Sequence, residues 1–264
     1  MKENFCPISH EPPKDFFSYF KFYGRMFFDF QTLTIFRHLK AILPFYTGKV
    51  LDIGCGNSPF RFLIHPSQAE YLGVDIKAAS NFGYQNQAKI EFDGENLPFL
   101  DGSIENIIFT EVLEHLENPE NLIAEMYRVL KAGGKAVVTI PFSARVHYIP
   151  NDYCRYTPYK LQKLFSAFSE IEILNRGTDI NSIIAKLIVM CFGLIIPLYF
   201  GQNKAALEQE RKLSLSFYSY LSRFLLFIII LPFVLLITVI GHLELLFKLG
   251  SDNDPLGYTI ILKK

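Results

Sequence analysis

The chain of 264 residues has no tryptophan, only four cysteines and no surplus of either charge, with 26 Lys+Arg against 26 Asp+Glu. Each shortage excludes something. A formal charge of zero removes the basic excess that phosphate-backbone binding requires, so nucleic acid is not expected as a partner. Cys6, Cys55, Cys154 and Cys191 lie far apart and form no C-x-x-C pair. That spacing supports neither a zinc site nor a disulfide framework, and no metal is expected. The first residues lack a basic segment leading into a continuous apolar run, so no secretory signal is read and a reducing cytosol is expected. Apolar residues, by contrast, are plentiful: 50% of the chain is hydrophobic, with 26 Phe and 14 Tyr. The mean hydropathy of +0.21 is high for a soluble enzyme, and the excess concentrates in the last third. This composition excludes a disordered chain, and the length allows one or two domains.

Residues 1–15, with Pro7, Pro12 and Pro13, read as an irregular tail. From Asp15, the spacing of Phe16, Phe20, Tyr23, Phe27 and Phe30 predicts one helix with five aromatics on a single face. Such a helix can cover a core, close a pocket or lie on a membrane, and covering is the expectation. A second helix is expected over Thr32–Leu43, before Pro44. Strands then alternate with helical stretches. The expected strands are Lys49–Ile53, Tyr71–Asp75, Lys89–Asp93, Ile104–Thr110, Lys135–Pro141, Glu170–Leu174 and Gly257–Leu262. Helices are expected over Pro119–Lys131, stopped by Gly133-Gly134, and over Thr157–Phe168. This order implies an α/β sheet with parallel pairing through right-handed crossovers and helices on both faces.

In such a sheet the ligand site lies beyond the carboxyl ends of the strands. Asp52-Ile53-Gly54-Cys55-Gly56 places a carboxylate and two glycines after the first strand, Asp75 closes the second, and Asp93-Gly94 follows the third. An acidic residue at the position of Asp75 suits ribose hydroxyls. An NAD-binding Rossmann unit would want a third glycine where this chain has Pro59.

The run VLDIGCGNSPF … YLGVDIK … FDGENLPFLDGSIENIIFTEVLEHLENPENLIAEMYRVLKAGGKAVVTIPF closely resembles the class I S-adenosylmethionine-dependent methyltransferases, in the subgroup that includes quinone-biosynthesis C-methyltransferases. The resemblance covers roughly Gly48–Phe142. It implies a Rossmann-like seven-stranded sheet and S-adenosylmethionine as cofactor. By it, Asp52, Gly54 and Gly56 border the methionine part, Asp75 holds the ribose, Asp93 with Gly94 meets the adenine, and Glu111 lies beside the methionine. Glu105 stands where the family usually has Asp, a departure of little consequence within a strand.

Methyl transfer to oxygen or nitrogen also needs a base for the acceptor's proton, and His115, His147 and Asp152 are the candidates. His115 has a competing reading as a residue bonded to backbone. The segment from His147 to Thr157 is similar to the H-x-x-P-x-D-x-x-R-x-T stretch of methyltransferases among glycan- and lipid-modifying enzymes. Its structural alternative pairs Asp152 with Arg155 and lets Thr157-Pro158 start a helix.

Two apolar runs, Ile183–Phe200 and Phe224–Ile240, fall between the sixth and seventh strands. By the resemblance, both flanking strands pair antiparallel in one cytosolic sheet, so the number of membrane crossings expected is zero or two. The basic connector Gly201–Arg223 prefers the cytoplasm, and each run holds a proline, so an in-plane or re-entrant hairpin on the cytoplasmic face is expected. A hydrophobic dimer interface or lid is the alternative. The organisation expected is an N-terminal helical cap (1–45), a methyltransferase core (46–178), a hydrophobic helical insertion (179–254) and the last core strand (255–264). The function expected is membrane-associated methylation of a lipid-linked or glycan acceptor. The alternatives are a prenylated quinol as acceptor, or a non-catalytic protein that keeps the cofactor fold.

Overall fold

A computed structural model describes residues 10–77, 90–195 and 217–264. Its centre is a seven-stranded sheet made of β1 (Gly48–Ile53), β2 (Ala69–Ile76), β3 (Ile90–Phe92), β4 (Ile104–Thr110), β5 (Leu130–Pro141), β6 (Glu170–Arg176) and β7 (Gly257–Lys263). The spatial order is β3-β2-β1-β4-β5-β7-β6. Pairing is parallel from β3 through β5, while β7 runs antiparallel to both β5 and β6.

Strand periodicity sorts the side chains onto two faces. Leu51, Ile53, Ile107, Phe109, Val138 and Ile140 pack in one core with Leu122, Ile123 and Met126 of α3 (Pro119–Val129) and Leu161 of α4 (Pro158–Leu164). Val50, Ile108 and Val137 point the other way, against Ile35 and Leu39 of α2 (Phe30–Ile42). The sheet is thus covered on both faces, as the alternation of elements predicts. Between β1 and β2 the chain forms only a short 3-10 turn, Arg61–Leu63, after Pro59. The expected helical stop at Gly133-Gly134 is not there. α3 ends at Val129, and both glycines lie inside β5, which starts at Leu130 because residues from there pair with β4.

The N-terminal helix also differs from its expectation. α1 (Phe16–Phe28) starts at Asp15, whose carboxylate accepts the Ser18 N–H while Ser18 Oγ accepts the Asp15 N–H. It stops at Asp29, which caps α2 by accepting the Thr32 N–H, so Phe30 belongs to the next helix. Phe22 and Met26 form the buried face of α1. Phe16 and Phe20 are more than 70% exposed, and Tyr23 and Phe27 are partly exposed. The five-aromatic face is therefore split between two helices: its four members on α1 turn outward, whereas Phe30 is buried at the start of α2.

The described part of the first apolar run lies in α5 (Asp179–Ile195) and the second run in α6 (Phe217–Phe247), which packs against α5. Residues 196–200 of the first run and 201–216 of the connector Gly201–Arg223 lie outside the described residues. α6 runs through Pro232 as one helix. A seam of Val234, Ile237, Thr238, Gly241 and Glu244 is buried against the body of the protein. The polar members are accounted for there. Glu244 accepts the Thr178 hydroxyl at 2.7 Å and the Leu249 and Gly250 N–H groups, and His242 stacks on Phe27 at 5.0 Å.

Candidate functional site

The carboxyl ends of β1, β2 and β4 meet around the glycine turn. Asp75 Oδ2 accepts the Gly56 N–H at 2.8 Å, which ties the end of β2 to the turn after β1. Gly54 (φ +67°) and Gly56 (φ +50°) have left-handed backbone. At Gly54 a Cβ would also lie 2.5 Å from Val112 Cγ2, so the loop after β4 closes directly on this glycine.

Asp52 is buried at the base of the turn. Its Oδ2 accepts the Tyr71 hydroxyl at 2.5 Å, and Tyr71 is hydrogen-bonded in turn to Ser58 Oγ at 2.7 Å. Asp52 Oδ1 is buried and has no partner. An orphaned carboxylate oxygen beside a turn that tolerates no side chain suits a ligand bringing a cationic amine. Burial, helped by the Asp75 charge and opposed by the Tyr71 bond, raises the Asp52 pKa to about 7.

A carboxyl whose native pKa lies above its unfolded value, 3.8, binds more protons in the native state. Its stabilising contribution is complete below that value and is lost as pH rises through 7. Within this window stability should fall by up to ~1.4 kcal/mol per pH unit on account of Asp52. Asp52→Asn should lack this slope in thermal denaturation between pH 4 and pH 8. Parallel slopes in the two proteins would refute the assignment.

The other sequence-expected residues occupy distinct surroundings. Asp93 follows β3 but closes its own loop. Its oxygens accept the Glu95 and Asn96 N–H groups and the Asn96 amide, and these bonds, the side-chain bond to Asn96 first, hold its pKa at about 2. Gly94 beside it has φ +93°. Glu111, just past β4, adopts a left-handed backbone (φ 52°), and its Oε1 accepts from Arg176 Nη2 at 2.8 Å. Glu105 accepts the Lys49 N–H and pairs with Lys131, a structural role remote from the turn.

His115 and His147 come together across two segments. His115 lies in a 3-10 turn, Leu113–His115, after β4, and His147 in the loop after β5. The loop is fastened to the turn by the Tyr153 N–H, which donates to Glu114 O at 2.9 Å. The rings meet edge to face at 4.9 Å. His115 Nδ1 bonds the Asn151 carbonyl at 2.5 Å, so the backbone-bonded reading holds for it. Burial lowers the His115 pKa to about 4, which makes it a weak base at neutral pH. Asp152 pairs with Arg155 at 2.5 Å and accepts the His147 N–H at 2.9 Å, as the structural alternative has it. Thr157 caps α4.

Comparison with known proteins decides the family of the core. Residues 51–138 match the family model described as a methyltransferase domain. The chain thus carries a methyltransferase domain. A ubiquinone/menaquinone biosynthesis C-methyltransferase, UbiE, of Desulfotalea psychrophila is 30% identical over 131 residues, which are 46% of this chain and 53% of that protein. An uncharacterized methyltransferase of a Mycobacterium species (strain JLS) is 35% identical over 94 residues, 34% of this chain and 37% of the other. The chain thus spans about half the length, or less, of these curated relatives. The structure of a SAM-dependent methyltransferase from Archaeoglobus fulgidus shares the fold. It has a TM-score of 0.50 at 20% identity and covers 95% of this chain and 100% of that one.

Three residues of the methyltransferase domain and its surroundings escaped sequence reasoning. Tyr71 sits within β2 and reads as strand filling, yet its hydroxyl holds Asp52. Arg176, at the end of β6, is fully buried against Glu111, and no local pattern links residues so far apart in the chain. Glu114 lies inside the EVLEHL run, where the alternation of polar and apolar residues hides its complete burial.

Proposed function

We propose that the chain transfers a methyl group from S-adenosylmethionine to a lipid-linked acceptor while lying on the cytoplasmic face of a membrane. The observation that carries the membrane half is the outer face of α6. Phe224–Phe247 contains an 18-residue stretch with a mean hydropathy of 3.1 and is long enough, at ~1.5 Å per residue, to match a bilayer, yet little of that stretch is buried. Its buried seam is docked along the protein, which argues for a helix lying in the interface with one side in lipid. The exposed aromatics of α1 adjoin it through the Phe27–His242 stack. A groove of about 570 Å³ between α2 and α6 adds Arg37 and Lys40, two cations suited to anionic headgroups.

The bound cofactor supplies a methyl carbon already activated by its sulfonium. The chain's own residues then have the tasks of binding, placement and water exclusion. Asp52 and the glycine turn receive the amino-acid end, Asp75 the ribose, and Asp93 with Gly94 the purine. The loops holding His115, His147 and Asp152 flank the acceptor side. Confinement to the membrane raises the effective concentration of a lipid-linked substrate. The His147–Thr157 segment favours a polyprenyl-linked sugar or glycan. The relative named for ubiquinone and menaquinone biosynthesis favours the second reading, a prenylated quinol.

Purified chain mixed with anionic phosphatidylglycerol vesicles should float with them and resist release by high salt or carbonate. Clean release would remove the membrane half of the proposal. Lipid extracts from cells with and without the chain should differ by a species heavier by one CH₂. Absence of any such species, with cofactor binding intact, would favour the non-catalytic alternative.

A further inference from the structure

A group of polar atoms next to the cofactor end has no use in the scheme above. Glu114 is completely buried, and neither of its carboxylate oxygens makes a hydrogen bond to another residue. Two imidazoles face it. His115 Nε2 lies 3.6 Å and His147 Nε2 4.0 Å from Glu114 Oε1. A carbonyl oxygen can only accept, so the contacts of His115 Nδ1 to Asn151 O (2.5 Å) and of His147 Nδ1 to Arg145 O (3.0 Å) require both Nδ1 atoms to carry the proton. Both Nε2 atoms therefore turn bare lone pairs toward a carboxylate that is itself only an acceptor when ionised. With Glu114 ionised, three acceptors converge on one small space.

These separations are too long for a proton to bridge. They fit a metal ion. Ligand atoms held at ~2.0–2.2 Å from one ion lie up to ~4.4 Å apart. The Glu114 oxygen meets that limit with both ring nitrogens, at 3.6 and 4.0 Å, and all three ligand atoms lie within 4.8 Å of one another, a few tenths of an ångström from the ligated spacing. The outer bonds are also of the kind that orients metal-binding histidines: each Nδ1–H is fixed by a backbone carbonyl, and Asp152 Oδ2 sits 3.3 Å from His147 Nδ1.

From this geometry we infer that Glu114, His115 and His147 bind a divalent first-row transition-metal ion, leaving open positions for an oxygen of the methyl acceptor. Two imidazoles and one carboxylate suit zinc, iron or nickel over magnesium or calcium, which prefer all-oxygen sets. The expectation of no metal, which rested on cysteine spacing, does not bear on such a set, because His147 joins it only through folding. The ion-binding claim stands by itself, whereas its role rests on the proposed methyl transfer. A hydroxyl bound to the ion loses its proton to solvent at lower pH, and no strong protein base is then required. The acceptor oxygen donates its pair to the methyl carbon as the sulfur–carbon bond breaks, and that bonding pair leaves on the thioether sulfur.

The test uses the untagged full chain, freed of metal with a chelator, and Co²⁺ as a spectroscopic probe followed by competition with Zn²⁺. The expected result is one equivalent of Co²⁺ with visible absorption bands, displaced by Zn²⁺, and a higher Tm in its presence. Glu114→Gln and His147→Gln should each weaken Co²⁺ binding at least tenfold, and S-adenosylhomocysteine binding by calorimetry should persist in both. If one variant fails to fold, the other and the metal-dependent Tm of the unmodified chain still decide. No bands and no Tm change in the unmodified chain, or unaltered Co²⁺ affinity in a folded variant, would overturn the site. Metal uptake without any S-adenosylhomocysteine binding would leave the site standing and remove the methyltransferase reading instead.

Discussion

Asp75→Ala should weaken S-adenosylmethionine binding at least a hundredfold. The reasoning starts from what the carboxylate already does. Its Oδ2 holds the Gly56 N–H and its Oδ1 the Ile76 N–H, both at 2.8 Å, so it is fixed in place at the end of β2 before any ligand arrives. Two hydrogen bonds from ribose hydroxyls to an ionised group would be worth roughly 1.5–3 kcal/mol each, or about 10²–10⁴ in Kd together. The substitution also frees the glycine turn from its anchor, which adds to the loss. Asp93→Asn makes the contrast. Since Asp93 spends its oxygens on its own loop and is exposed, a smaller change is expected there. Calorimetric titration of both variants checks the pair. A Kd for Asp75→Ala within threefold of the parent would show that the ribose is held elsewhere.

The largest expected loss of stability belongs to Arg176→Leu. Arg176 is fully buried. Its Nη2 donates to Glu111 Oε1 and to Ile140 O, both at 2.8 Å, and its Nε to Tyr258 O at 3.3 Å. One side chain thus joins the end of β4 to β5 and β7. The space around it is made for it, since a Cβ at Gly257 would lie 2.2 Å from Nη2. Burial pulls the guanidinium pKa below its ordinary value, and the Glu111 charge works against that pull. Removing one member of such a pair typically costs about 3–5 kcal/mol, because a charge and two carbonyls lose their partner. For a domain of this size that corresponds to a fall in Tm of roughly 6–20 °C. Adding Glu111→Gln to Arg176→Leu should restore part of the loss. A double variant as unstable as the sum of the singles would show that the two side chains are not coupled.

Much of this architecture is legible in the chain. Short β-rich runs ending in Asp52, Asp75 and Asp93, with glycines after the first, set the order of elements and the end of the sheet where ligands gather. Local spacing is enough for that, because each of these residues lies next to the strand that positions it. The misreadings share a different cause. The aromatic face of the N-terminal helix followed a period of three to four through Phe30, and periodicity cannot register that Asp29 caps a new helix and resets the phase. Gly133-Gly134 looks like a helix stop when residues are read singly, but pairing with β4 draws the strand back to Leu130. The convergence of Glu114, His115 and His147, and the Arg176–Glu111 pair, are tertiary facts. They bring His147 to Glu114-His115 and Arg176 to Glu111 from distant parts of the chain, and no short window of sequence spans either gap.

The position of β7 bears on how the protein is made. This strand sits between β5 and β6 and hydrogen-bonds to both, yet α5 and α6 precede it in the chain. During synthesis the greasy pair emerges from the ribosome while the sheet still has a gap at its sixth place. Those helices are therefore complete before final closure, and their apolar surface emerges while the β-framework is still unfinished.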